Sequence, residues 1–221
     1  SDVYKRQLLD SIPDEVKRRI KLRYASNLSY IKFKKYDLIK IWNKFKSVNI
    51  KVSMDGVGDV YNYIRRDGDW DTVYANMMIL DSEPTIDLAA GITVQAHNIF
   101  HMPEFYKFWK ESPIDLKFIT ANILQTPKYL RPNLWPAEYR ELILNKLEEA
   151  KKEFPEMKKF ITYLKSNEPT IRDYAKMRKY TRDIENRYLL NVDLKKMIKQ
   201  HLGVKLEGMD IVNERLVNEK G

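Results

Sequence analysis

Four strand-like segments, each followed by a segment of helical periodicity, predict an α/β fold in which the strands run parallel, in chain order, as half of a barrel. Three observations carry the prediction. Each strand-like segment is rich in apolar residues and stops at a polar group, as strands do whose C-terminal ends surround a ligand. The segments between them repeat apolar residues at helical spacing. Beyond Phe154-Pro155 the alternation ceases, and only helical periodicity remains.

The opening Ser1-Asp2-Val3-Tyr4-Lys5-Arg6-Gln7 matches, along all seven residues, the conceptual translation of a transposon-derived sequencing adapter. Residues 1–7 are therefore set aside as non-native. The native chain is expected from Leu8, as a fragment with protein missing upstream. Residues 8–19 read as a polar connection with apolar anchors. Ile20 to Asn27 alternates apolar and polar and ends in Ser26-Asn27, a strand. Leu38, Ile41, Trp42 and Phe45 predict a helix over about 36–46.

Asn49-Ile50-Lys51-Val52-Ser53-Met54-Asp55-Gly56 is the central stretch: Val and Ile favour extended backbone, and Asp-Gly breaks it. It presents a hydroxyl and a carboxylate at its C-terminal end. Residues 57–68 read as a loop or short helical turn rich in aromatics and Arg, with Asp69 as N-cap of a helix carrying Trp70, Val73, Met77 and Leu80. Asp81-Ser82-Glu83-Pro84 breaks that helix. Residues 86–96 are apolar and strand-like from Leu88, ending Gln95-Ala96-His97-Asn98. Pro103 suits the first turn of a helix whose Phe105, Phe108 and Trp109 share a face. Residues 115–122 form the fourth strand, ending at Asn122. The loop with Pro127, Pro132 and Pro136 is packed down by Trp135, and Pro136 starts a helix through Leu147. Helical periodicity then continues to Ile198, and residues 203–221 are expected to fray. The domains are thus 8–154, the barrel part, and 155–221, the helical extension.

Composition bounds the function. The 221 residues are 43% hydrophobic, enough for a core. No apolar run approaches the roughly 20 residues of a membrane span, and no signal-peptide core is present, so a cytoplasmic protein without a membrane partner is expected. The absence of Cys excludes disulfides and thiolate-held metals in the chain itself. The net charge of +9 points to a polyanion, but between Glu156 and Gln200 stand twelve Lys+Arg against six Asp+Glu. A basic helical segment is more often a solvated face, so nucleic acid is the lesser partner reading. It remains the alternative: a non-enzymatic basic module that binds nucleic acid. His97 and His101 are four apart, but a strand end and Pro103 bracket them, so no metal site is assigned there. From local sequence alone, Ser53 and Asp55 read first as a strand cap with an Asx-turn.

The strand ends Ser26-Asn27, Ser53-Met54-Asp55-Gly56, Gln95-Ala96-His97-Asn98 and Asn122, with Tyr61-Asn62-Tyr63-Ile64-Arg65 after the second, resemble the radical S-adenosylmethionine enzymes with a SPASM or twitch-type extension. The resemblance runs from about Leu8 to Phe154. It implies a partial (βα)6 TIM-like barrel, of which these strands would be the third to sixth. It also implies S-adenosyl-L-methionine as cofactor, a [4Fe–4S] cluster in the full-length parent, an external electron donor, and a peptide or small-molecule substrate. Ser26 would lie near the cofactor carboxylate, and Ser53 at its methionine moiety or ribose. Asp55, Arg65 and Gln95 would be positioning groups at the rim, with Asn27 and Asn122 at their own strand ends. The sequence departs from the family in lacking the three-cysteine loop and the Gly-Gly-Glu strand, both expected upstream of Leu8. The resemblance reverses the local preference at Ser53 and Asp55.

Overall fold

The computed structural model describes residues 2–33, 36–66, 68–166, 171–188 and 192–206. In chain order it contains α1 (Asp2–Ser11), α2 (Asp14–Lys17), β1 (Lys21–Ser26), β2 (Lys32–Phe33), β3 (Tyr36–Asp37), α3 (Leu38–Trp42), β4 (Ser47–Ser53), α4 (Gly58–Ile64) and α5 (Trp70–Asp81). These are followed by β5 (Ile86–Val94), α6 (Met102–Glu111), β6 (Leu116–Ile123), α7 (Ala137–Ala150), α8 (Met157–Ser166), α9 (Ile171–Tyr188) and α10 (Leu194–Leu202). The residues pack as two units: Ser1–Thr93 with Lys107–Asn122, and Val94–Tyr106 with Ile123–Gly221.

The fold is α/β. Its main sheet has four parallel strands in the order β1-β4-β5-β6, which is chain order, as expected. Helices connect consecutive strands, because a parallel neighbour can be reached only by a crossover. The sheet is open. In register, Arg23 lies opposite Asn49 and Asn49 opposite Asp87, while Ser53 pairs with Gly91.

Along β4 burial alternates strictly. Val48, Ile50 and Val52 are sealed, whereas Ser47, Asn49, Lys51 and Ser53 are half-exposed. Leu88, Ala90 and Ile92 continue the sealed face on β5. The other face carries Lys21, Arg23 and Asp87, which are exposed, and Asn49, Lys51, Ser53 and Thr93, which are partly so, while Ala89 opposite Lys51 is sealed. Parallel sheets ordinarily bury both faces, so one wet face sets this sheet apart.

Several elements differ from their sequence-based expectation. Residues 8–19 hold the end of α1 and all of α2 rather than a connection, and β2 with β3 forms an unforeseen antiparallel ribbon. The helix expected over 36–46 is only five residues long. Asp37 caps it, accepting from the Ile39 and Lys40 N–H groups at 3.1 and 3.3 Å. Asn43 is its C-cap, still bonding the Ile39 carbonyl through its N–H, while its side chain donates to Glu83 and accepts from Thr85, both at 2.7 Å. Leu38, Ile41, Trp42 and Phe45 are buried nonetheless. Residues 57–64, read as a loop or short helical turn, contain the seven-residue helix α4, whereas Asp69 caps α5 as expected, through the Thr72 N–H at 2.9 Å. The proline loop makes two 3-10 turns, Lys128–Leu130 and Pro132–Leu134, and Trp135 is fully buried. Most of the stretch expected to fray, from 207 on, lies outside the described residues. Among the described residues no helix is long and apolar enough to cross a membrane.

Two glycines give opposite expectations. A Cβ at Gly56 would stand 2.7 Å from Val60 Cγ1 and 3.0 Å from the Tyr61 N, against a helix that cannot retreat. Gly56→Ala should therefore cost about 1–3 kcal/mol, as overpacking does. A Cβ at Gly91 would meet only Lys51 Cε, at 2.6 Å, the far end of a flexible chain. Gly91→Ala should stay within about 0.5–1 kcal/mol of wild type, since relief of glycine's entropy in a strand offsets the contact. Urea midpoints of the two variants check the pair; equal losses would contradict it.

Candidate functional site

The carboxyl ends of β1 and β4 and the turn after β4 hold most of the residues singled out from sequence. Asp55 is the best anchored. It is 7% exposed. Its Oδ1 accepts the Thr93 N–H of β5 at 2.7 Å, and its Oδ2 pairs with the Arg65 guanidinium at 3.0 Å. Arg65 is the C-cap of α4, so the carboxylate fastens the β4–α4 turn to the next strand and to the end of the following helix. This long-range partnership replaces the Asx-turn that local sequence favours. Burial pushes the Asp55 carboxyl up from its ordinary value; Arg65 and the Thr93 N–H oppose it without cancelling it.

Beneath this pair lies an aromatic floor. Tyr61 is fully buried, its phenol pushed up chiefly by burial, and its ring meets Trp70 at 5.5 Å. Trp70 in turn meets Tyr74 at 5.7 Å and Phe108 at 5.5 Å. Asn62 Oδ1 accepts the Trp70 N–H at 2.8 Å, fixing the entry to α5. Tyr61 and Trp70 are core, and Tyr74 and Phe108 are partly buried against Trp70.

Ser53 ends β4 on the wet face, half-buried, two residues after Lys51. Arg23 and Lys51 lie on the same face, and neither side chain makes an ion pair or hydrogen bond among the described residues. Ser26 and Asn27 serve their own turn instead: Ser26 Oγ accepts from the Leu28 N–H at 3.1 Å, and Asn27 Oδ1 from the Ser29 N–H at 3.4 Å. That turn places Leu28 at φ 52, the left-handed region. Asn122 is exposed near the end of β6. Gln95 belongs to the second unit, where its N–H donates to Asn98 Oδ1 at 2.7 Å.

In the second unit the histidines do not act as the pair their spacing suggests. His97 Nε2 lies 2.8 Å from Thr181 Oγ1, with its ring stacked on Tyr180. His101 instead faces His201, ring centroids 4.8 Å apart, and Glu104 completes a group whose potential ligand atoms all lie within 4.8 Å. Lys146 is ion-paired to Glu104 Oε1 at 2.5 Å and donates to the His201 carbonyl at 2.8 Å. His201 Nδ1 stands 3.7 Å from the same Oε1, an electrostatic contact rather than a hydrogen bond. Burial, then the neighbouring His201, pushes His101 down to about 3. Burial acts to raise Glu104, but His201 and Lys146 outweigh it and hold it at about 2.

Sequence reading missed Thr93, Glu104, Lys146 and His201. Only the His101-x-x-Glu104 spacing was visible, and i, i+3 residues share a helix face. The chain matches no known family model, no curated protein sequence and no solved structure.

Proposed function

We propose that this chain is the C-terminal part of a radical S-adenosylmethionine enzyme of the SPASM or twitch type, its open sheet supplying strands three to six of a partial (βα)6 barrel. One observation supports the reading above the rest. The parallel strands follow chain order and leave one polar face uncovered, as the inner wall of an incomplete barrel must be if a charged cofactor lies against it. The residue types on that face suit a zwitterion. Lys51 offers a cation to a carboxylate, and Ser53 offers a hydroxyl that bonds either charged group without titrating. Asp55, tied to Arg65 and Thr93, holds the turn beside them in place.

The chain contains no Cys, so the thiolates of a [4Fe–4S] cluster do not come from it, and no step through a cluster is assigned to its residues. Its share is to bind, orient and keep water from the cofactor. The substrate class is a peptide or small molecule, with electrons from an external donor. The test is the genomic reading frame around Leu8. It should encode three closely spaced cysteines and a Gly-Gly-Glu-like strand end upstream, and its purified product should form 5′-deoxyadenosine when reduced with S-adenosylmethionine. An intact frame without cysteines, or a reduced and cluster-loaded product that leaves S-adenosylmethionine whole, overturns the proposal.

In that full-length protein Ser53→Ala should leave folding and cluster assembly unchanged. A buried partner left without its hydrogen bond costs about 1–3 kcal/mol. S-adenosylmethionine should therefore bind roughly 5- to 150-fold more weakly by calorimetry. Unchanged affinity in a folded, reconstituted variant would place Ser53 outside the cofactor site.

A further inference from the structure

The second unit holds a cluster that the proposed chemistry does not use, and its composition is that of a metal site. His101 ends the 3-10 turn before α6, Glu104 lies in the first turn of α6, and His201 is next to the end of α10. Two of the three histidines of the whole chain thus converge on one carboxylate. We propose that His101, Glu104 and His201 form a binding site for a divalent transition-metal ion, Zn2+ above all, that fastens the end of α10 to the start of α6.

Four features argue for it. First, two imidazoles and a carboxylate are a ligand set that zinc accepts, leaving a fourth position for water. Second, the ligand atoms lie within 4.8 Å of one another. A tetrahedral ion with bonds of about 2.0–2.1 Å needs them roughly 3.4 Å apart, so side-chain rotation closes the gap. Third, Glu104 is half-engaged: Lys146 holds Oε1, whereas Oε2 is shut from solvent with no hydrogen-bond partner. A buried carboxylate oxygen without a partner is costly, and a bound cation would satisfy it. Fourth, Lys146 supplies what ligating carboxylates ordinarily have, an outer hydrogen-bonding partner that fixes their orientation. Its further bond to the His201 carbonyl orients two members of the cluster at once.

The proposal is independent of the radical reading, because every residue it needs lies in the second unit. The experiment uses the full chain, stripped of metal with a chelator, and titrates it with ZnCl2 by calorimetry and with CoCl2 by visible absorption. One equivalent should bind, at about micromolar affinity or tighter, with the intense d–d bands of four-coordinate Co2+. Glu104→Gln, which keeps the side-chain shape, should weaken binding beyond the roughly 10- to 100-fold that loss of an outer partner costs. His201→Asn should do the same, and His97→Gln should change nothing. Circular dichroism of each variant without metal establishes that it is folded, and if His201→Asn does not fold, Glu104→Gln decides. No binding to wild type below about 100 μM, or undiminished binding in folded Glu104→Gln, would overturn the site and leave the cluster a hydrogen-bonded lock of His, Glu and Lys.

Discussion

Trp135→Ala should lose about 3–5 kcal/mol of stability, the range for removing a large aromatic from a sealed core. Trp135 is fully buried in the second unit, edge-on to Phe100 at 6.1 Å and tilted against Tyr139 at 5.9 Å. Its Nε1 donates to the Ala96 carbonyl at 2.9 Å, so the indole ties the residues after β5 to the start of α7. Removal leaves a cavity and an unmatched carbonyl together. Trp135→Phe separates the two, since it retains most of the packing and gives up only the hydrogen bond, at about 1–2 kcal/mol. Urea unfolding followed by circular dichroism measures both. A loss below about 1 kcal/mol for the alanine variant would mean that the proline loop is held by something other than Trp135.

Asp55→Ala should cost about 2–4 kcal/mol. A fully buried pair broken from one side costs about 3–5 kcal/mol, and the value is reduced here because the Arg65 side chain, 28% exposed, reaches water. The Thr93 N–H is also left without its acceptor. Asp55→Asn keeps an oxygen for that N–H and should cost only about 1–2 kcal/mol. The pH dependence carries a further sign. The folded value of Asp55 is raised above its ordinary 3.8, so the folded protein holds the extra proton between the two values. Its contribution is therefore fully present below 3.8 and is lost as pH rises through the folded value. In Asp55→Asn that portion of the stability–pH slope should vanish. An unchanged slope would show that Asp55 titrates as an ordinary solvated carboxyl.

The four strands of the main sheet were legible because their signals are local, whereas the two-residue β2 and β3 carry none. A β-branched run closed by Ser-x-Asp-Gly states both an extended backbone and its end, and β4 proved two residues longer at its start than the run suggested. The short α3 was less legible: Phe45, beyond the C-cap Asn43, is buried like the helical Leu38, Ile41 and Trp42, so the apolar period runs past the helix's end. Asp55 and Arg65 were singled out only through the family resemblance, since local sequence favours a turn at Asp55, and their pairing with each other was not foreseen. Thr93 was not singled out, since its contribution is a backbone N–H that any residue could supply. His201 was invisible for a different reason: its partners lie far along the chain, and α10 shows only the period that buries Leu194, Met197 and Ile198.

The sheet with one dry and one wet face also separates two kinds of selective pressure. Along β4 the even-numbered positions from Val48 to Val52 face inward and the odd-numbered positions from Ser47 to Ser53 face out. A saturation library scored for folding alone should show intolerance with a period of two, confined to the even positions. If the proposed function holds, the same library scored for S-adenosylmethionine cleavage in the full-length protein should acquire new intolerance at odd positions only. Any odd position that withstands every residue in the first screen and fails in the second is a ligand contact, identified without knowledge of the ligand.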